Sequence, residues 1–114
     1  MSKIYTSVNM PVSSELLNDY FHNLVNRFFK ILPMRESEEG SLSIYIDSLQ
    51  SELLGGKELI PVIKDDSRYL TLLMILEFLK SEPPPSVKEV KREVFRAISV
   101  CNQLEAMFAG EVAE

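Results

Sequence analysis

Residues 69–79 read YLTLLMILEFL, and the reading of this stretch decides the fold. Nine of its eleven residues are apolar, Thr71 and Glu77 being the exceptions. It is about half the length needed to cross a bilayer, and Arg68 and Lys80 bracket it closely, so it predicts a buried helix. Placed at 100° per residue, even its most polar strip, through Ser67, Arg68, Thr71 and Glu82, still includes Ile75 and Phe78. Fully burying a Phe or Ile is worth about 1.5–3 kcal/mol each, so such a helix has to be enclosed. A second copy of the chain, a foreign chain or the neighbouring segment 55–66, with Leu59, Ile60, Val62 and Ile63, would serve. Tyr69, Leu72, Ile75, Phe78 and Leu79 are the residues expected at a partner interface.

Working outward, helix signals dominate. Ser13 or Ser14 can cap a first helix with Glu15 in its first turn. Leu17, Phe21, Leu24, Phe28 and Ile31 or Leu32 recur at spacings of three and four, while Glu15, Asp19, His22, Asn26 and Lys30 keep the same period on the other face. Pro33 cannot donate to a helix ladder, which predicts an end near Leu32 and a corner through FFKILPMRESEEG at 28–40. Leu42, Tyr45, Ile46, Leu49 and Leu53 form a second stripe, closed by Gly55-Gly56 in the left-handed conformation. A loop follows at 55–66, and Asp65 or Asp66 can cap the helix around Met74. Pro83-Pro84-Pro85 reads as an extended spacer of about 9 Å. Ser86 and Glu89 form a capping box that opens the last helix, whose apolar face is Val87, Val90, Val94, Ile98, Cys101, Leu104 and Phe108.

These signals predict an all-α chain, an antiparallel four-helix bundle with helices at 14–32, 38–54, 67–81 and 87–109. Residues 1–114 are expected to form a single helical domain, with an irregular N-terminal segment at 1–12 and a C-terminal tail at 110–114. The proportions, 46% hydrophobic and 25% charged, suit a domain with a real core. The net charge of −5 argues against indiscriminate binding to polyanions, which relies on a surplus of Lys and Arg. A lone cysteine, Cys101, excludes an intrachain disulfide, and MSKIYTSVNMPVSSELL lacks the apolar region and cleavage pattern of a secretory signal. A cytoplasmic, reducing location is expected.

Chemistry finds little support. Asp19 and His22 stand three apart, a spacing that metal centres in helical bundles use, but there is no second histidine and the pair lies on the polar stripe. Cys101 lacks a base on its face. Gly55-Gly56-Lys57 is not a phosphate loop. Glu36, Glu38, Glu39, Asp47, Asp65 and Asp66 lack calcium-loop spacing, and Arg35 is expected to pair with Glu36 across the corner. No catalytic residue, metal site or cofactor is therefore assigned, and no small-molecule substrate is inferred. Lys88, Lys91, Arg92 and Arg96 make a basic stripe that could follow a nucleic-acid backbone, although Glu89 and Glu93 interleave with it and no aromatic residue is assigned to it. The function expected is a small non-enzymatic protein-interaction or adaptor module, self-associating through the apolar helix. An acidic, immunity-like inhibitor of a basic protein is the alternative, and nucleic-acid binding through the basic stripe a weaker one.

Overall fold

The computed structural model describes residues 3–5, 11–37 and 40–113. Helix α1 (Ser14–Phe29) begins where Ser13 Oγ accepts from the Leu16 amide at 3.0 Å. It ends one turn before Pro33, not at Leu32. The proline lacks the amide that would bond to the Phe29 carbonyl four residues back, and its ring crowds that carbonyl, so the ladder breaks at Lys30. Helix α2 (Ile31–Glu36) then carries Pro33 in its first turn and buries Ile31, Leu32 and Met34. The expected corner is therefore a short helix of its own. Glu38 and Glu39, where the second predicted helix was to open, lie outside the described residues.

Helix α3 (Leu42–Leu59) turns Ile46, Leu49 and Leu53 inward, as its stripe predicts. It starts four residues later than expected and does not stop at Gly55-Gly56. Both glycines are helical, and no described glycine has positive φ. The reason lies across the core: a Cβ on Gly56 would come within 2.9 Å of the Tyr69 hydroxyl, so this glycine serves a close approach and not a helix end. The expected loop 55–66 is thus the last turn of α3 followed by a single turn, α4 (Pro61–Lys64), with Pro61 at its first position. Helix α5 (Ser67–Leu79) is capped by Asp66, which accepts from the amides of Arg68 and Tyr69. It ends two residues short of the predicted 81.

Helix α6 (Val87–Ala113) opens on the capping box: the Ser86 amide donates to Glu89 Oε1 at 3.0 Å and the Glu89 amide to Ser86 Oγ at 3.2 Å. It runs through Gly110 to Ala113 where a tail was expected, an isolated glycine being tolerated inside a helix. At 27 residues it is about 40 Å long and spans the 44 Å long axis of the molecule. The N-terminal segment, expected to be irregular, contains a three-residue antiparallel ladder of β1 (Lys3–Tyr5) and β2 (Pro11–Ser13), with Ile4 opposite Val12. Everything else of regular structure in the described residues is helical.

The packing follows from a few pairs. Phe21 stacks on Phe108 at 5.8 Å and meets the edge of Tyr69 at 6.2 Å, so α1, α5 and α6 share one aromatic centre. Asn18 donates to the Glu105 carbonyl while Phe29 meets Phe95, which makes α1 and α6 run in opposite directions. Gln50 to Glu77, Lys80 to Asp47 and Tyr69 to Leu53 do the same for α3 and α5. The connection into α6 is anchored by Pro85, which is buried and accepts from Arg35 at 3.2 Å. Arg35 thus reaches the Pro85 carbonyl instead of Glu36, the partner expected across the corner.

Candidate binding cleft

The apolar helix is enclosed by its own chain. Tyr69, Leu72, Ile75 and Leu79 are closed off in the core, and Phe78 is half-buried against it. Helices α6 and α3 supply most of the cover, with Ile63 of α4 at the Tyr69 end. The outward strip runs through Ser67, Leu70, Met74 and Glu77, not through Ile75, and only Met74 among its large apolar groups stands open at 69% exposure. The partner interface expected at Tyr69, Leu72, Ile75 and Leu79 therefore has no accessible face in this fold.

Apolar surface opens elsewhere, at the first half of α1. Leu16 and Tyr20 widen the α1 stripe beyond what the core can use, and Leu16 is 60% exposed. Opposite them stand Glu52, Gly56 and Leu59 of α3, then Ile60. Between these walls lies a cleft of about 480 Å³ floored by Phe21, Ile63 and Tyr69. That is the size of a site for a few bulky side chains or one small molecule. Its depth depends on Gly56, because any side chain there would meet the Tyr69 hydroxyl.

One carboxylate clasps α1 to α3 beside this cleft. Glu52 accepts from Tyr20 Oη at 2.6 Å and from Arg27 Nη1 and Nη2, at 2.5 and 3.0 Å, a two-pronged geometry that fixes direction as well as distance. The Arg27 hydrogen bonds hold the Glu52 carboxyl below its ordinary range and raise the guanidinium in turn. Burial, and next the Glu52 carboxylate, push the Tyr20 phenol up. Tyr69 is also raised, by burial first and the Glu52 charge second, and its hydroxyl donates to the Leu53 carbonyl at 2.5 Å. Neither phenol ionises near neutral pH; both act as hydrogen-bond donors. The cleft can hold an apolar group and orient a polar one, and its described lining residues include no activated nucleophile.

The remaining candidates are separated by the fold. His22 points to Glu105 of α6, 3.3 Å from its Oε1, and not to a metal site with Asp19. Among the described residues no three or more His, Cys, Asp or Glu side chains are placed to share a metal ion. Asp66 is engaged by its cap and by Arg68, and Asp47 by Lys80 at 2.9 Å. Cys101 is buried, and burial, helped by the Glu105 charge, lifts its thiol to about 12, which leaves little thiolate at neutral pH. Among the described residues no helix is long and apolar enough to cross a membrane.

The basic stripe exists, with one correction. Lys88, Lys91, Arg92 and Arg96 are exposed on α6, but Phe95 stands among them, three and four residues from Arg92 and Lys91, and is 47% exposed. Across the groove it meets Phe29 of α1, 50% exposed, at 6.2 Å. The spacing of Phe95 was visible in the sequence; its pairing with Phe29 needed the fold. Two residues from Phe95 and turned about 160° away from it, Glu93, only 8% exposed, accepts from Arg92 at 3.2 Å and from Arg96 at 2.8 Å. Comparison with protein-family models, with curated proteins and with solved structures returns no significant match.

Proposed function

We propose that this chain is a non-enzymatic protein-interaction module whose four long helices form an antiparallel bundle, and whose binding site is the cleft between α1 and α3. The observation that carries this reading is the 480 Å³ apolar cavity, rimmed by the exposed side chains of Leu16 and Leu59 and floored by Phe21 and Tyr69. Its occupant is a partner's amphipathic segment: apolar side chains enter the cleft, and basic ones meet Asp19 and the acidic surface of a chain that carries −5 overall. The acidic-inhibitor reading merges here, because a basic partner is what this charge favours. The single cysteine and its burial suit a reducing, cytoplasmic setting.

Titration of isotope-labelled protein with a short Leu/Lys amphipathic helix tests the reading. Shifts confined to Leu16, Tyr20, Leu59 and Tyr69, lost in Leu16→Glu, are expected. Shifts scattered over the surface, or a chain that sediments as a dimer through this same cleft, would replace a foreign partner with non-specific contact or self-association respectively.

A further inference from the structure

We propose that a second surface, on the opposite side of α1 from the cleft, docks an acidic amphipathic segment of a partner protein. At 100° per residue Leu16, Tyr20 and Asn23 point to one side of α1 and Asn18, His22 and Phe29 to the other. The first three line the cleft; the second three touch α6. The two surfaces are therefore independent, and this proposal does not rest on the cleft being a site.

Phe29 and Phe95 are half exposed, come from two different helices and meet at 78°, leaving an apolar ridge open to solvent. At 100° per residue Lys88, Lys91 and Arg92 lie within about 60° of Phe95 around α6, and Arg96 about 100° from it. Two acids of this stretch, Glu89 on the Ser86 amide and Glu93 paired with both arginines, offset part of this charge, so the two lysines are the cations without such a partner among the described residues. The buried Glu93 carboxylate holds both guanidiniums along the surface, so less side-chain freedom is lost when they bind. An aromatic centre with arginines at its edge is the composition enriched in protein interfaces. The four cations extend over about 12 Å of helix on an otherwise acidic chain. That suits a few carboxylates beside apolar side chains better than a long polyanion, whose phosphates beyond the patch the remaining acidic surface would repel. Two edge-to-face rings also form a ridge, not a pair of parallel platforms for successive bases.

Fluorescence anisotropy of the full chain with a dye-labelled Leu/Glu helical peptide tests this. Saturable binding is expected, weakened about tenfold or more by Phe95→Ser and by the pair Lys88→Glu and Lys91→Glu, and unchanged by Leu16→Glu in the cleft. The lysines are exposed, so the paired variant keeps its fold and decides the matter if Phe95→Ser loses helicity. Tighter binding of an oligodeoxythymidylate than of the peptide would overturn the proposal in favour of nucleic acid. No binding of the peptide, or weakening by Leu16→Glu alone, would also overturn it.

Discussion

Helix α5 and the first half of α1 invert what their sequences advertise. The most apolar segment of the chain is the least available, because α3, α4 and α6 close around it, whereas α1, with a regular polar face, leaves Leu16 and Tyr20 beside an open cleft. Apolar content measures how much a segment must hide. Availability is decided by whether neighbouring helices meet along their whole length, and at the α1–α3 side they do not.

The sharpest test of this contrast lies within α5. Leu72→Ala should destabilise the chain by about 2–5 kcal/mol in urea unfolding, because the side chain is fully buried and the site cannot collapse without moving three helices. Met74→Ala, two residues on, should stay within about 0.5 kcal/mol. Equal effects would mean that α5 is enclosed by something other than its own chain.

The next test asks what shapes the cleft. Tyr69→Phe removes the bond to the Leu53 carbonyl and should cost about 0.5–1.5 kcal/mol. Gly55→Ala, with nothing within 4 Å of the added carbon, should stabilise by up to about 1 kcal/mol through helix propensity. Gly56→Ala should lose that gain against the Tyr69 hydroxyl and regain it in the Tyr69→Phe background. A Gly56→Ala that stabilises as much as Gly55→Ala, in thermal unfolding, would show that the close approach does not shape the cavity.

The smallest effect concerns acid. Hydrogen bonds from Arg27 and Arg68 depress the carboxyls of Glu52 and Asp66 in the folded chain. Their contribution is therefore complete above their ordinary values of 4.5 and 3.8, and is lost as pH falls through the lower folded values. Both pairs are partly exposed, so the loss should be a modest slope below about pH 4.5, flattened in Glu52→Gln and Asp66→Asn. Unfolding curves at several pH values would reveal it; a slope unchanged in both variants would assign the acid sensitivity to other groups.

Local chemistry was legible in the sequence, and juxtaposition was not. Ser13, Asp66 and the Ser86–Glu89 box mark their helix starts by residue type and spacing, and the stripes of α1, α3 and α6 name most of the core. The break at Lys30 was misplaced by one turn because a proline acts on the carbonyl four residues earlier. Gly55-Gly56 suggested a helix end because the tyrosine that requires the second glycine lies on another helix. The cleft left no signature at all: its walls come from α1 and α3, and an exposed leucine such as Leu16 is unremarkable until its opposite wall is known.

The Tyr69–Leu53 tether has an optical consequence. The chain has no tryptophan and four tyrosines, and two of these, Tyr20 and Tyr69, face the cavity with their hydroxyls donated to a carboxylate and a peptide oxygen. The tyrosine band of the near-ultraviolet dichroism and the phenol emission thus come from four rings, half of them at the cavity wall. Anything that settles there is reported without a label.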